Sequence, residues 1–340
     1  MLALVTGATG TLGQAVVARL LAEGHRVAVL TRRPFRAARL FGETVVIHEW
    51  HPIAEAVPGG ALEGVDAILH LMGEPFGGRP GSDRAARAVQ SRVNATRRLM
   101  VAIGARPMRL VMTSIVLPVT GDETDADGLR ADGWPTLAAS GRASVWSEAV
   151  AAWEAEAQAA ADRGASVAIV RLGLLAAPGG SLAALVRLAR RGFGVDLRGC
   201  VVPAISLPDS AALVSGLLTN RELVGVVNGV SPVPVKGEAL ALLLAGLSPF
   251  GRIVPLPRRI VERSLGLSMA LFNGRRPVIP QRLIQAGASF SQPDVLSALE
   301  LALAEIATAP AAEAMQWRDW LPRGPRQQPR PQPTRSEVAP

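Results

Sequence analysis

With 340 residues, of which 49% are hydrophobic and 19% charged, the chain can fill one large domain and a smaller one, and it is not a disordered protein. Cys200 is the only cysteine, the first strand is expected to begin at Leu2, and no apolar run is long enough to cross a bilayer; these point to a reducing, cytoplasmic setting without a leader or membrane anchor. The formal charge of +8 comes from scattered arginines, with Lys236 the one lysine and no aromatic residues interleaved among the basic ones, so neither nucleic acid nor membrane is an expected partner.

Leu2–Thr6 reads as a strand, Gly7 to Gly13 as a turn, and Leu12–Ala22 as a helix stopped by Gly24. Further strands are expected at Arg26–Thr31, Thr44–Glu49, Ala67–Leu71, Leu110–Ser114 and Ser166–Arg171, with helices at Asp83–Ala105 and Ala143–Arg163. Strands alternating with helices through about six cycles predict an α/β fold with a Rossmann-type doubly wound parallel sheet. After Gly173 the regularity weakens. Helices fit Ser181–Arg191 and Ser210–Thr219, Asp209 is the expected N-cap of the second, and Val226–Val230 reads as a late strand returning to the sheet. The expected organisation is a nucleotide-binding domain over residues 1–174, with returning segments near 206–230. A small substrate-covering lid would take residues 175–205 and 231–305. From Pro322 onward Pro, Arg and Gln dominate with no apolar period, so residues 322–340 are expected to form a disordered basic tail. The oligomeric state is left open.

Gly7, Gly10 and Gly13 form a G-x-x-G-x-x-G turn between a strand and a helix, with Thr9, Thr11 and Leu12 completing the loop. The first glycine permits the tight turn, the second lets a pyrophosphate approach the backbone, and the third allows close helix–strand packing, while the helix N-terminus offers free N–H groups. In this context the triplet predicts dinucleotide binding. The end of the second strand decides between the cofactors: an acid there holds the ribose hydroxyls of NAD, whereas arginine accommodates the 2′-phosphate of NADP. Arg32 and Arg33 stand there with no acid before Glu43, which predicts NADPH (NADP+), the bland alternative being two solvated surface arginines. Leu71, which ends the fourth strand, and Met72 and Gly73 after it are expected to border the same groove.

These stretches carry a family resemblance. Val5–Gly10, Leu30–Pro34, Asp66–Pro75, Ser91–Val93 with Thr96, Trp153–Glu154, Gly225–Asn228 with Ser231–Pro232, and Pro280–Gly287 with Phe290 together resemble the atypical extended short-chain dehydrogenases of the epimerase-family type, from the start to about residue 303. The resemblance implies NADP(H) on a Rossmann domain with a small substrate-covering domain, and a loop at Leu172, Gly173 and Leu174 whose backbone approaches the nicotinamide carboxamide. It implies no substrate.

In ordinary members of that superfamily a serine ending the fifth strand works with a Tyr-x-x-x-Lys on the next helix, where a lysine lowers a phenol pKa that otherwise sits near about 10. Here Ser114 ends that strand, Trp146 falls where the tyrosine belongs and Val150 where the lysine belongs. The chain contains no tyrosine at all. A positioned general acid contributes about 10²–10⁴-fold, and an indole N–H donates a hydrogen bond without titrating. Epimerisation and dehydration therefore lose their base, whereas ketone reduction needs only hydride, geometry and a proton from substrate or water. The expectation is an NADPH-dependent oxidoreductase, a ketoreductase acting on a small-molecule substrate such as a polycyclic aromatic ketone in antibiotic (polyketide) tailoring. The absent pair is also similar to that of atypical ketoreductases in angucyclinone biosynthesis. The alternative is a non-catalytic, NADP(H)-responsive regulatory protein.

Several residues carry two readings. Thr113 and Ser114 either face the nicotinamide or make strand-end hydrogen bonds; Glu74 either touches substrate or caps a turn; Trp146 either offers a surface to flat rings or fills the core. His70, closing the fourth strand, either faces the cofactor or makes a structural hydrogen bond. His48 and His51 lie at a spacing that sends their rings to opposite faces of a continuing strand, and no metal site is expected.

Overall fold

The computed structural model describes residues 1–73, 82–116, 145–257, 260–261, 265–272 and 274–308. Six strands alternate with helices as the pattern requires: β1 (Leu2–Thr6), β2 (Arg26–Thr31), β3 (Val45–Glu49), β4 (Ala67–His70), β5 (Arg109–Ile115) and β6 (Ser166–Leu172). Four short strands follow, β7 (Leu174–Ala176), β8 (Phe193–Gly194), β9 (Val201–Val202) and β10 (Ala204–Ser206), and then β11 (Gly225–Gly229). The central sheet has seven strands in the order β11-β6-β5-β4-β1-β2-β3, all parallel. The chain is a Rossmann-type α/β protein, and its strand order reverses between β1 and β4, where such sheets open a crevice beyond their carboxyl ends.

Alternation along each strand supplies two cores. In β1, Leu4 joins one cluster while Ala3 and Val5 join the other. On the Leu4 side pack α3 (Asp83–Ile103) and α4 (Val145–Ala161), through Leu99, Ile103, Val150 and Trp153. On the other side pack α1 (Thr11–Ala22) and α6 (Leu207–Thr219), through Val16, Leu20, Val214 and Leu218. Each such side chain contributes about 1.5–3 kcal/mol by leaving water, so burial rather than intrinsic propensity holds these helices. The Leu4-side cluster continues without a break into Leu185 of α5 (Gly180–Ala189) and Leu240 of α7 (Gly237–Gly246).

Two buried polar clasps tie distant segments. Arg109 at the start of β5 is 0% exposed; its guanidinium donates to the carbonyls of Leu217 (2.7 and 2.9 Å), Asn220 (2.7 Å) and Leu223 (2.9 Å) and to Ser166 Oγ (2.9 Å). A cation thus satisfies the carbonyls at and beyond the end of α6. Burial, with the nearby Arg221 charge, pushes its pKa down to about 10. The second clasp corrects the expected cap: Ser206, not Asp209, caps α6, accepting from the Asp209 N–H at 3.1 Å. The Asp209 carboxylate instead accepts from Ser291 N (2.7 Å), Ser291 Oγ (2.5 Å) and Gln292 N (3.0 Å).

Element boundaries fall within two or three residues of those expected. Helix α2 (Pro34–Phe41) was not anticipated: a proline soon after a strand suggests a turn, whereas here Pro34 occupies the first turn of a helix, where a missing N–H costs nothing. The expected tail, 322–340, lies outside the described residues.

Candidate functional site

The turn after β1 shows why glycine is required at its first and third marked positions, Gly7 and Gly13. Gly7 has φ +74°, and a Cβ on it would lie 2.8 Å from the Leu71 carbonyl carbon. Leu71 is held there by its own N–H, which donates to Thr6 O at 3.2 Å. A Cβ on Gly13 would collide with the Gly7 carbonyl oxygen and lie 2.7 Å from Ala8 Cα. Gly10 precedes α1 in an extended conformation with no side-chain cap, so the N–H groups of Thr11, Leu12 and Gly13 have no partner within the helix. Thr9 uses its carbonyl to accept from Gln14 Nε2 at 3.1 Å. Shape and dipole both suit a pyrophosphate.

Arg32 and Arg33 follow β2, both exposed, and the Arg33 N–H donates to Thr31 Oγ1 at 3.1 Å. Because Thr6 pairs with Leu30, this segment lies beside the glycine turn at the carboxyl end of the sheet. The residues present fit a dinucleotide that carries a phosphate on its adenosine ribose.

A cleft of about 260 Å³ opens over the same strand ends. It brings together Thr11, Leu71 and Met72 with Thr113 and Ser114 of β5 and with Leu172, Gly173 and Leu174. Gly7, Thr9, Gly10, Leu12, Gly13, Arg32, Arg33 and Gly73 are not among its walls; they lie at the adjoining ends of β1, β2 and β4. Glu74 and the side chain of Trp146 lie outside the described residues. The Gly173 N–H donates to Gly229 O (3.1 Å) and the Leu174 N–H to Pro203 O (2.7 Å), so both donors are used within the protein. A Cβ on Gly173 would lie 2.6 Å from Pro203 O, which explains the glycine by packing.

Ser114 is 9% exposed, and its Oγ accepts from the indole Nε1–H of Trp153 at 3.2 Å. With one lone pair engaged, the hydroxyl can turn its own proton toward the cleft. The residue after Trp153 on α4, Glu154, accepts two bonds from Arg171 at the end of β6 (2.7 and 3.0 Å) in a buried, fork-to-fork ion pair. Arg92 of α3 stands over the Trp153 ring, its guanidinium carbon 5.6 Å from the centroid.

His70 does not face the cleft. Its Nδ1 pairs with Thr6 Oγ1 at 2.8 Å and its Nε2 with Thr96 Oγ1 at 3.1 Å. Burial, with the charge of Arg92, pushes its pKa down to about 4, so the ring is neutral at physiological pH.

Trp153, Arg92 and the turn Pro178–Ser181 also line the cleft, and no role was read for them from sequence. Gly179 (φ +125°) and Gly180 (φ +51°) bring the start of α5 toward α1; a Cβ on Gly179 would be 3.6 Å from Thr11 Oγ1. The signal was present: two glycines and a serine directly before an apolar helical period.

A family profile described as "NAD dependent epimerase/dehydratase family" matches residues 3–193. The human epimerase family protein SDR39U1 is 28% identical over 308 residues, 88% of this chain and 99% of its own length. The Arabidopsis thaliana SDR39U1 homologue, described as chloroplastic, is 28% identical over 307 residues, 87% of this chain and 84% of its own. A crystal structure of human SDR39U1 (isoform 2) with NADPH superposes with a TM-score of 0.67 at 26% identity, covering 90% of this chain and 99% of that one. No helix among the described residues is long and apolar enough to cross a membrane. With more than half of its length matched and the glycine turn, strand order and strand-end cleft in place, the chain belongs to the NAD dependent epimerase/dehydratase family.

Proposed function

We propose that this chain is an NADPH-dependent ketoreductase that works without the tyrosine–lysine pair of its superfamily, reducing an aromatic polyketide ketone in secondary-metabolite tailoring. The observation that carries the reading is the pairing of Ser114 Oγ with the Trp153 indole in a cleft at the strand ends, in a chain with no tyrosine. NADPH, when bound, supplies the hydride.

The protein's own residues hold and orient. Gly7, Gly10 and Gly13 with the start of α1 take the pyrophosphate, and Arg32 and Arg33 take the 2′-phosphate. Met72 and Leu172 form apolar walls that exclude water from the reacting face. Ser114, its oxygen fixed by the indole, donates a hydrogen bond to the substrate carbonyl oxygen and polarises it. Thr113 sits beside it on the same strand end. The proton that completes the alcohol comes from the substrate, for which a phenol beside the ketone is suited, or from water. Residues 175–205 and 231–305 act as the substrate cover; Leu175 and Leu271 on the cleft wall support that role.

NADPH consumption is measured with two polycyclic aromatic ketones, one bearing an adjacent free phenol and the other its methyl ether. Turnover of the phenol alone is expected. Tight NADPH binding with turnover of neither overturns the reading, in favour of a different substrate class or of an NADP(H)-responsive regulatory protein.

A further inference from the structure

The Ser114–Trp153 bond has a neighbour at the carboxyl end of the sheet. Ser114 of β5 and Arg171 of β6 are register partners on adjacent parallel strands. Their side chains therefore leave the same face of the sheet, the face on which Leu110, Met112, Val167 and Ile169 pack. Helix α4 lies on that face and meets the two strands with two successive residues. Trp153 donates to Ser114 Oγ at 3.2 Å, and Glu154 takes the fork of Arg171 at 2.7 and 3.0 Å. Successive helix positions point about 100° apart and rise about 1.5 Å. One anchor alone would let α4 roll; two anchors on adjacent strands fix its roll and its slide together.

Stability is a poor account of the ion pair. Glu154 is 4% exposed and Arg171 9%, and a pair so buried loses enough hydration that apolar residues of similar volume commonly serve as well. What apolar residues lack is direction, which a bidentate pair has. The other ion pair of α4, Arg97 to Glu156 at 2.6 Å, is open to solvent and ties the helix to α3, not to the sheet. We propose that Glu154 and Arg171 are positioning residues for Ser114: their ion pair sets the roll of α4, so that the Trp153 indole stays on the serine oxygen and leaves the serine proton to the substrate carbonyl. The catalytic part of this rests on the ketoreductase reading. Neither residue is on the cleft wall, so both act through the indole. A small roll of α4 lengthens the N–H···O contact, lets the hydroxyl rotate and spoils its aim at the carbonyl.

The test reads the indole directly, independently of turnover. The chain has 6 tryptophans, whose indole N–H groups give separate signals in a proton–nitrogen spectrum. The signal missing in Trp153→Phe belongs to Trp153, and its position in Ser114→Ala marks the broken bond. The double variant Glu154→Met, Arg171→Met replaces the ion pair by apolar volume. Its Trp153 signal is expected to move most of the way to that mark, with Tm close to that of the wild type. For an aromatic ketone that the wild type reduces, kcat should fall about tenfold or more while KM for NADPH stays within about twofold. Arg171→Lys, which keeps the charge without the fork, should move the signal part of the way. Glu156→Gln, which breaks the other ion pair of α4, should leave it in place. An unmoved signal in the double variant, or in Arg171→Lys where the double variant does not fold, overturns the proposal. So does an equal shift in Glu156→Gln, since any loosening of the helix would then suffice. A moved signal with kcat unchanged, while Ser114→Ala lowers kcat, also overturns it. Normal turnover in Ser114→Ala, or no ketone reduced by the wild type, would instead remove the ketoreductase reading; a moved signal would then leave the hold on the indole standing.

Discussion

A methyl group at Gly13 meets the Gly7 carbonyl and the Ala8 backbone, neither of which is the movable end of a side chain. Gly13→Ala is therefore expected to push the turn out of shape, costing about 1–3 kcal/mol and at least tenfold in NADPH affinity. Thermal melts and a binding titration check it; a destabilised protein with normal affinity would show that the turn only packs. Arg32 and Arg33 make a separable prediction. Replacing both by Ala is expected to weaken NADPH more than tenfold and leave NADH nearly unchanged, by fluorescence titration, because only the 2′-phosphate is lost as a partner. Equal losses would exclude that contact. These positions stood out in the sequence because a positive φ, a tight turn or a charge at a strand end is a local demand. Trp153 was not: its bond to Ser114 spans 39 positions, and an apolar helix places tryptophan in a core as readily as in a site. Arg92 was hidden in the same way.

At the scale of elements, His70 joins three of them, linking β4 to Thr6 on β1 and Thr96 on α3 through a neutral ring. Its folded pKa of about 4 lies below the unfolded value of 6.5, so the unfolded chain takes up the proton first. The stability this ring supports is complete above about pH 6.5 and declines as pH falls toward 4, by up to about 3 kcal/mol. Denaturant unfolding at pH 7.5, 5.5 and 4.5 should show that slope in the wild type and a shallower one in His70→Gln. The same slope in both would exclude His70 as its source. The strands and helices of the sheet were legible because period-2 and period-3.6 apolar patterns are strong over five residues or more. The two- and three-residue strands β7 to β10 are too short to carry a period: β7 and β10 pair because β6 and α6 bring their backbones together, while β8 and β9 pair with Val254–Pro255 and Val235–Lys236. Asp209 illustrates the other limit. Its place near a helix start was readable, but its partners lie 82 and 83 residues downstream.

For the whole molecule, one cleft gathers the ends of β4, β5 and β6 with the starts of α1 and α5. A ligand that bridges them adds its binding energy to folding. NADPH at 100 times its Kd is expected to contribute about 2.7 kcal/mol and to raise Tm by several degrees, whereas NADH at the same concentration should raise it less. Differential scanning fluorimetry checks the order, and the reverse order would place the cofactor preference elsewhere.

The Asp209 clasp also sets a timetable. The carboxylate leaves the ribosome more than eighty residues before Ser291 and Gln292 exist to receive it. Until they arrive, settling α6 against the sheet would bury an uncompensated charge, so a nascent chain that has already made every strand of the central sheet must wait. Completion is thus deferred until Ser291 and Gln292 have emerged, and the interval is when a holding chaperone would matter most to this protein.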